Sequence, residues 1–275
     1  MTPATGKEQC GRTSVYNRHF ARRLVRLLVL SDIHGNQEAL DACLAAAPAY
    51  DTVINLGDIV GYGASPNEVS ERSRSLGKFW VRGNHDKAAV GLTDLSEFNP
   101  IAGIALLWTR SRLTPENLQW LQSLPQGPLQ LAEVPGVEFV HGSPLDEDQY
   151  LVTVDDANAP LQRAPVPVTF FGHTHLQGFF STDGSESDGF RPVYTTVGKA
   201  ETVVFSLEEE MRYLINPGSV GQPRDGDWRA AFALFDSEAR NVTFCRTPYN
   251  LKEAQDRILA ANLPERLAIR LAAGR

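Results

Sequence analysis

From Arg23 to Asp32 the chain reads RLVRLLVLSD, a short apolar run bounded by polar residues, which predicts a buried strand. IHGNQEALDACLAAA follows, with apolar residues at helical spacing up to Pro48, so the order is strand, loop, helix. DTVINLGD repeats the strand-to-polar-loop pattern, NEVSERSRSLG predicts a polar helix ending at Gly77, and FWVRGNHD predicts a third strand and loop. Strands alternating with helices imply a mainly parallel, layered α/β sheet.

Residues 87–125 read as helical, with Thr114 as a cap, Pro115 at the first helical position, and Leu118, Trp120, Leu121 and Leu124 as an apolar face. A strand is expected at 137–142, a Pro- and Asp-rich linker at 143–167, and a further strand in VTFFGHTH at 168–175. The polar stretch 183–189 suggests a hairpin tip, and strands near 193–198, 202–207, 229–236 and 241–246 suggest a second sheet. The closing stretch, about 251–272, predicts two short helices broken at Pro264. Nothing forces a division of 23–275, which is read as one domain with a helical insert at about 87–125.

Composition changes this picture little. The 275 residues suffice for a substantial core, and with 42% hydrophobic and 21% charged residues they resemble an ordinary globular protein. No apolar run approaches the roughly 20 residues that span a bilayer. Three widely spaced cysteines (Cys10, Cys43, Cys245), with no C-x-x-C pair, fit a reducing compartment, and a cytoplasmic location is expected. Charge is more telling: residues 1–26 carry +5 and the remainder −12. The first 22 residues are therefore expected to form a basic, disordered arm, and the acidic body argues against nucleic acid as the main partner.

The polar residues that follow the predicted strands are the informative ones. Asp32 and His34 follow the first, Asp58 the second, and Asn84 and His85 the third; His141 ends VEFVHG, and His173 and His175 lie in GHTH. Five of the six histidines fall in this set. Taken singly, each has a plain alternative: Asp32 could cap a helix, and GD at 57–58 is a turn. Ligands of open α/β sheets bind beyond the carboxyl ends of strands, so the loops should converge. Mixed imidazole and carboxylate donors suit divalent Mn, Fe, Zn or Ni, and a carboxylate shared by two such ions would be Asp58.

The motif order D-x-H, GD, GNHD, H, GHTH, with NPGSVGQPRDGD at 216–227, resembles the calcineurin-like metallophosphoesterase family, most of all its small bacterial phosphodiesterase and phosphatase branch. The resemblance implies a layered α/β fold, a β-sandwich of two mixed sheets flanked by helices. It implies two divalent metals, Mn²⁺ foremost, and hydrolysis of phosphoesters of small or nucleotide-like substrates by a metal-bridging hydroxide. Asp32, His34 and His175 would hold one metal, Asp58 both, and Asn84, His141 and His173 the second. His85 would protonate the leaving oxygen, with Asp86 orienting it or capping the next helix. Asn36 would donate to phosphate or cap a helix. Arg224 would face substrate or pair with Asp225 or Asp227, and Arg82 and Lys199 are further candidates for the phosphate contact. GDIVGYG lacks the Asp and Arg that protein Ser/Thr phosphatases carry in this segment, which weakens but does not remove that alternative. A dinucleoside polyphosphate hydrolase, a nuclease and a non-catalytic binding scaffold are the other readings.

Overall fold

The computed structural model describes residues 25–275; the basic arm expected at 1–22 lies outside the described residues. The first part of the chain runs β1 (Arg26–Leu30), α1 (Gln37–Ala46), β2 (Thr52–Asn55), α2 (Pro66–Ser75), α3 (Asn84–Ala89), α4 (Pro100–Arg112) and α5 (Pro115–Gln122). The middle holds β3 (Leu129–Gln130), β4 (Val137–Phe139), α6 (Val154–Arg163), β5 (Val168–Phe170), β6 (Gly178–Thr182) and β7 (Ser187–Phe190). The last part holds β8 (Glu201–Ser206), β9 (Arg212–Asn216), β10 (Ala230–Asp236), β11 (Asn241–Thr247), α7 (Leu251–Ala260) and α8 (Glu265–Ala273).

Two mixed sheets result, one ordered β2-β1-β10-β11-β8 and the other β3-β4-β5-β9-β6-β7. Within them β1 and β2 are parallel, as are β4, β5 and β9, so the carboxyl ends of each set share one edge. The period of two along a strand explains why the first strand is apolar throughout. Leu27 and Val29 join Phe139, Phe170, Ile215, Phe235 and Phe244 between the sheets, whereas Leu28 and Leu30 join Leu40, Phe232, Ile258 and Leu271 under α1, α7 and α8. Each of these fully buried side chains stabilises the fold by about 1.5–3 kcal/mol. On the far side α6 covers β6 and β9, with Leu161 packed among Phe171, Phe180 and Leu214. The layers are therefore helices, sheet, sheet, helix.

Several elements depart from the sequence reading. FWVRGNHD contributes only a bridge from Trp80 to Asn55, because Gly83 already caps α3 and the chain turns helical at Asn84. The linker expected at 143–167 contains α6. Thr153 accepts from the Asp156 amide (3.2 Å) and Asp156 accepts in return from the Thr153 amide (2.9 Å), a reciprocal cap that outweighs the Pro and Asp content. No strand forms at 193–198; Pro192 precedes a segment in which Val193 and Val197 are exposed, so nothing apolar anchors it. The strands expected at 202–207, 229–236 and 241–246 form as β8, β10 and β11 but join β1 and β2 in one sheet, and the other sheet takes β6 (GFFST) and β9 (RYLIN), which pair antiparallel.

Candidate metal centre

Five proposed ligands lie in left-handed backbone: Asp32 (φ 54°), His34 (φ 49°), Asp58 (φ 53°), His173 (φ 65°) and His175 (φ 61°). For a non-glycine residue this costs roughly 1–2 kcal/mol, and it persists only where neighbours over-determine it. Here the β1 and β2 loops lock together: the Asp32 amide donates to Gly57 (3.0 Å), that of His34 to Asp58 (2.9 Å) and that of Gly35 to Ile59 (2.9 Å). The Gly221 amide donates to Asp32 (3.0 Å), tying in the 216–227 segment, and Gly172 donates to His141 (2.7 Å).

The side chains meet as two groups. One holds donor atoms of Asp32, His34, Asp58 and His175 and the other those of Asp58, His141 and His173, all within 4.8 Å of one another in each group. In the first, His34 Nε2 lies 3.1 Å from His175 Nε2 and 3.5 Å from an Asp58 oxygen, and His175 Nε2 lies 3.3 Å from Asp32. In the second, His141 Nε2 lies 3.6 Å from the same Asp58 oxygen and 3.3 Å from Asn84 Oδ1. Donors about 2.1 Å from a common cation stand at most about 4.2 Å apart, so these separations fit a cation in each group. Asp58 belongs to both.

The tautomers also fit. His34 Nδ1 donates to the carbonyl of Val60 (3.2 Å), His141 Nδ1 to Leu56 (2.8 Å), His175 Nδ1 to Gln222 (2.6 Å), and His173 Nε2 to Asp148 (3.1 Å). A carbonyl only accepts, so each of these nitrogens carries the proton and the opposite one offers its lone pair inward. Electrostatics agree. Burial pushes Asp32 up to about 7, and burial with the nearby Asp86 raises Asp58 well above the carboxylate range. Burial likewise holds His34 and His175 far below an ordinary imidazole, so the cluster favours neutral imidazoles and disfavours uncompensated carboxylates. Divalent cations resolve that conflict.

Of the remaining candidates, Asp86 is the cap and not a partner of the His85 ring. One oxygen accepts from Ile59 (2.9 Å) and Val60 (3.2 Å) and the other from Gly83 (3.0 Å), so it fastens α3 to the Asp58 loop. Asn36 also spends its amide structurally, accepting from Ala39 at the start of α1 (3.1 Å) and donating to Gly221 (3.0 Å). His85 is buried against Tyr62 (ring centroids 4.4 Å apart), His34 (4.8 Å) and Phe98 (5.1 Å). Its Nδ1 has no partner among the described residues and abuts Gly61, where an added Cβ would lie 2.5 Å away.

Arg224 is not consumed by its neighbours, because Asp225 pairs with Arg246 and Asp227 with Arg229. Its Nε is buried without a partner among the described residues, and Tyr62 and Tyr150 stand beside it, their hydroxyls pushed up by burial and drawn partly back by its guanidinium. Arg82, by contrast, is held by both oxygens of Glu147 (2.9 and 3.0 Å). The sequence reading missed Tyr62 as a wall of the site, Asp148 as the acceptor that fixes His173, and Ser31, whose hydroxyl donates to Asp32 (2.7 Å). Only the place of Tyr62 in GDIVGYG hinted at any of them.

The family model described as calcineurin-like phosphoesterase matches residues 25–177. The uncharacterised protein MJ0912 of Methanocaldococcus jannaschii is 37% identical over 255 residues, covering 90% of this chain and 98% of its own. A metallophosphoesterase from Sphaerobacter thermophilus, of known crystal structure, is 39% identical with a TM-score of 0.79, covering 92% of this chain and all of its own. PH1004 from Pyrococcus horikoshii OT3 shares the fold, with a TM-score of 0.72 at 22% identity over 91% of this chain and 99% of its own.

Proposed function

The chain belongs to the calcineurin-like phosphoesterase family, and from that premise we propose that it hydrolyses phosphoesters of small or nucleotide-like molecules at two divalent cations. The observation that carries this reading is the pair of donor groups sharing Asp58, with four histidines already in the tautomer that ligation needs. Asp32, His34, Asp58 and His175 hold one cation, and Asp58, Asn84, His141 and His173 the other. Mn²⁺ is our choice, ahead of Fe, Zn or Ni. When bound, the cations supply an activated water and neutralise charge on the phosphoryl oxygens.

The chain supplies the rest. Arg224, with an unpartnered Nε, takes a non-bridging oxygen of the phosphoryl group and orients it. As the water oxygen bonds to phosphorus and gives up a proton to solvent, the bond to the departing oxygen breaks, and His85 in its protonated form gives that oxygen a proton and regains one from solvent. Nδ1 of His85 is walled by Gly61, so Nε2 is the donor. Asp86 positions His85 by fixing the first turn of α3. A non-catalytic scaffold would have no use for an imidazole held beside the donors without ligating.

The test is hydrolysis of p-nitrophenyl phosphate and bis-p-nitrophenyl phosphate by chelator-stripped protein after adding Mn²⁺, Ni²⁺, Zn²⁺ or Mg²⁺, with bound metal counted in parallel. Turnover restored with two cations per chain is expected, and the preferred ester separates diesterase from phosphatase. Two bound cations without turnover on either ester or on nucleotides would overturn the enzymatic reading.

A further inference from the structure

The end of α8 docks on the loop that carries Arg224. Gly274, in left-handed backbone (φ 59°), accepts through its carbonyl from the Gly226 amide (3.0 Å), and a Cβ there would lie 2.6 Å from the Asp227 nitrogen. One turn earlier, Arg270 is set over Tyr62, its guanidinium carbon 5.5 Å from the ring centroid. Tyr62 in turn lies 4.4 Å from the His85 ring. Arg270, Tyr62 and His85 thus form a stack leading outward from the cluster on the side of the proton donor.

Neither Arg270 nor Arg224 forms an ion pair with an Asp or Glu side chain among the described residues: Arg224 donates to Gln222 Oε1 (3.4 Å), with its charge also acting on the buried Asp32 and Asp58, and Arg270 donates to the main-chain oxygen of Arg275. Burial and the neighbouring Arg224 charge hold Arg270 below its ordinary value. Two partly buried guanidinium groups of like charge beside each other are unfavourable, and an anion arriving between them relieves both. Arg224 reaches toward the scissile phosphoryl group. Arg270 stands near Arg224, over the Tyr62 ring that adjoins His85.

We propose that Arg270 recognises a negative charge on the leaving group, so that the substrate carries an anionic group next to the bond that is cut. The inference rests on the phosphoesterase reading above. Two sources share this chemistry: a phosphoanhydride, whose leaving group is a phosphate, and a phosphorylated alcohol bearing a second phosphate.

The experiment compares kcat/KM for 3-carboxyphenyl phosphate and phenyl phosphate, in the wild-type chain and in Arg270→Met and Arg270→Lys, at matched metal content. The wild type should prefer the charged leaving group. Arg270→Met should lower that ratio by about tenfold, the loss of one charge-assisted contact, and Arg270→Lys should restore part of it. A ratio equal in wild type and Arg270→Met, or a wild-type preference for phenyl phosphate, overturns the proposal, since a residue that only covers Tyr62 would affect both esters alike. ADP and glycerol 1,3-bisphosphate then separate the two sources. If no ester is hydrolysed with any metal, the phosphoesterase reading fails on its own. The affinity ratio of 3-carboxyphenylphosphonate to phenylphosphonate for the metal-loaded protein then decides Arg270 by calorimetry, with the same expected loss in Arg270→Met.

Discussion

Replacing Gly83 with alanine displaces Asp58, whose other carboxylate oxygen, Oδ2, faces His34 and His141 in the two donor groups. Gly83 has φ −101° and ψ 173°, which any residue adopts, so the effect is steric and not conformational. The new Cβ would lie 2.0 Å from Asp58 Oδ1 and 2.4 Å from the Asp58 nitrogen. Relief requires a displacement of about 1 Å, whereas metal–ligand distances tolerate about 0.2 Å. The same Asp58 oxygen accepts from the His85 amide (2.8 Å), so the shift also loosens the first turn of α3. Overpacking of this kind costs about 1–3 kcal/mol, against a total stability of about 5–15 kcal/mol, so the variant should fold. Its affinity for both cations should fall by about 100-fold or more, beyond the upper range for outer-shell changes, because the shared ligand itself moves. Calorimetric metal titration with thermal unfolding of the stripped protein reads both quantities. Gly103→Ala is the control: it lies in α4, its Cβ meets nothing closer than 3.9 Å, and it should stabilise by about 0.5–1 kcal/mol without touching metal binding. Two cations bound by Gly83→Ala at wild-type affinity would refute the assignment of Asp58 as the shared ligand.

The other outcomes are simpler to read. His85→Ala should retain both cations and reduce turnover by roughly 10²-fold or more, measured as kcat at saturating metal; unchanged kcat removes His85 from the chemistry. Chelation should lower the melting temperature, since cations that bind only the folded cluster stabilise it by about 2.7 kcal/mol at 100 times their dissociation constant. A melting temperature indifferent to chelator and to added Mn²⁺ would count against a folded-state site. Thr153→Ala should destabilise by about 1 kcal/mol in denaturant titration through loss of the α6 cap, with metal affinity unchanged. A change far below that would show that packing against β6 and β9, not the cap, holds α6.

How much was legible depended on the range of the interaction. The strand order at the start of the chain follows from local period, because β1 is buried on both faces and reads as one apolar run. GFFST and RYLIN are strands only because they meet each other and β5 across the second sheet, and nothing within either segment announces a partner. The reciprocal cap of α6 was written in T-V-D-D, yet Pro and Asp content pointed the other way.

The candidate site divides along the same line. Residue type and position after strands name Asp32, His34, Asp58, Asn84, His141, His173 and His175 from the sequence alone, since no core has reason to gather imidazoles and carboxylates at its strand ends. What each remaining polar group does was left open, because an amide or carboxylate has several local partners within reach. The tertiary structure chose: Asn36 and Asp86 bond to backbone amides near them, while Arg224 keeps its Nε free because Arg246 and Arg229 take the neighbouring aspartates. The meeting of Tyr62, Arg224 and Arg270 lay beyond any sequence reading. It depends on a helix end docking against a loop through Gly274, a contact fixed by backbone shape and steric fit rather than by a pattern of residue types.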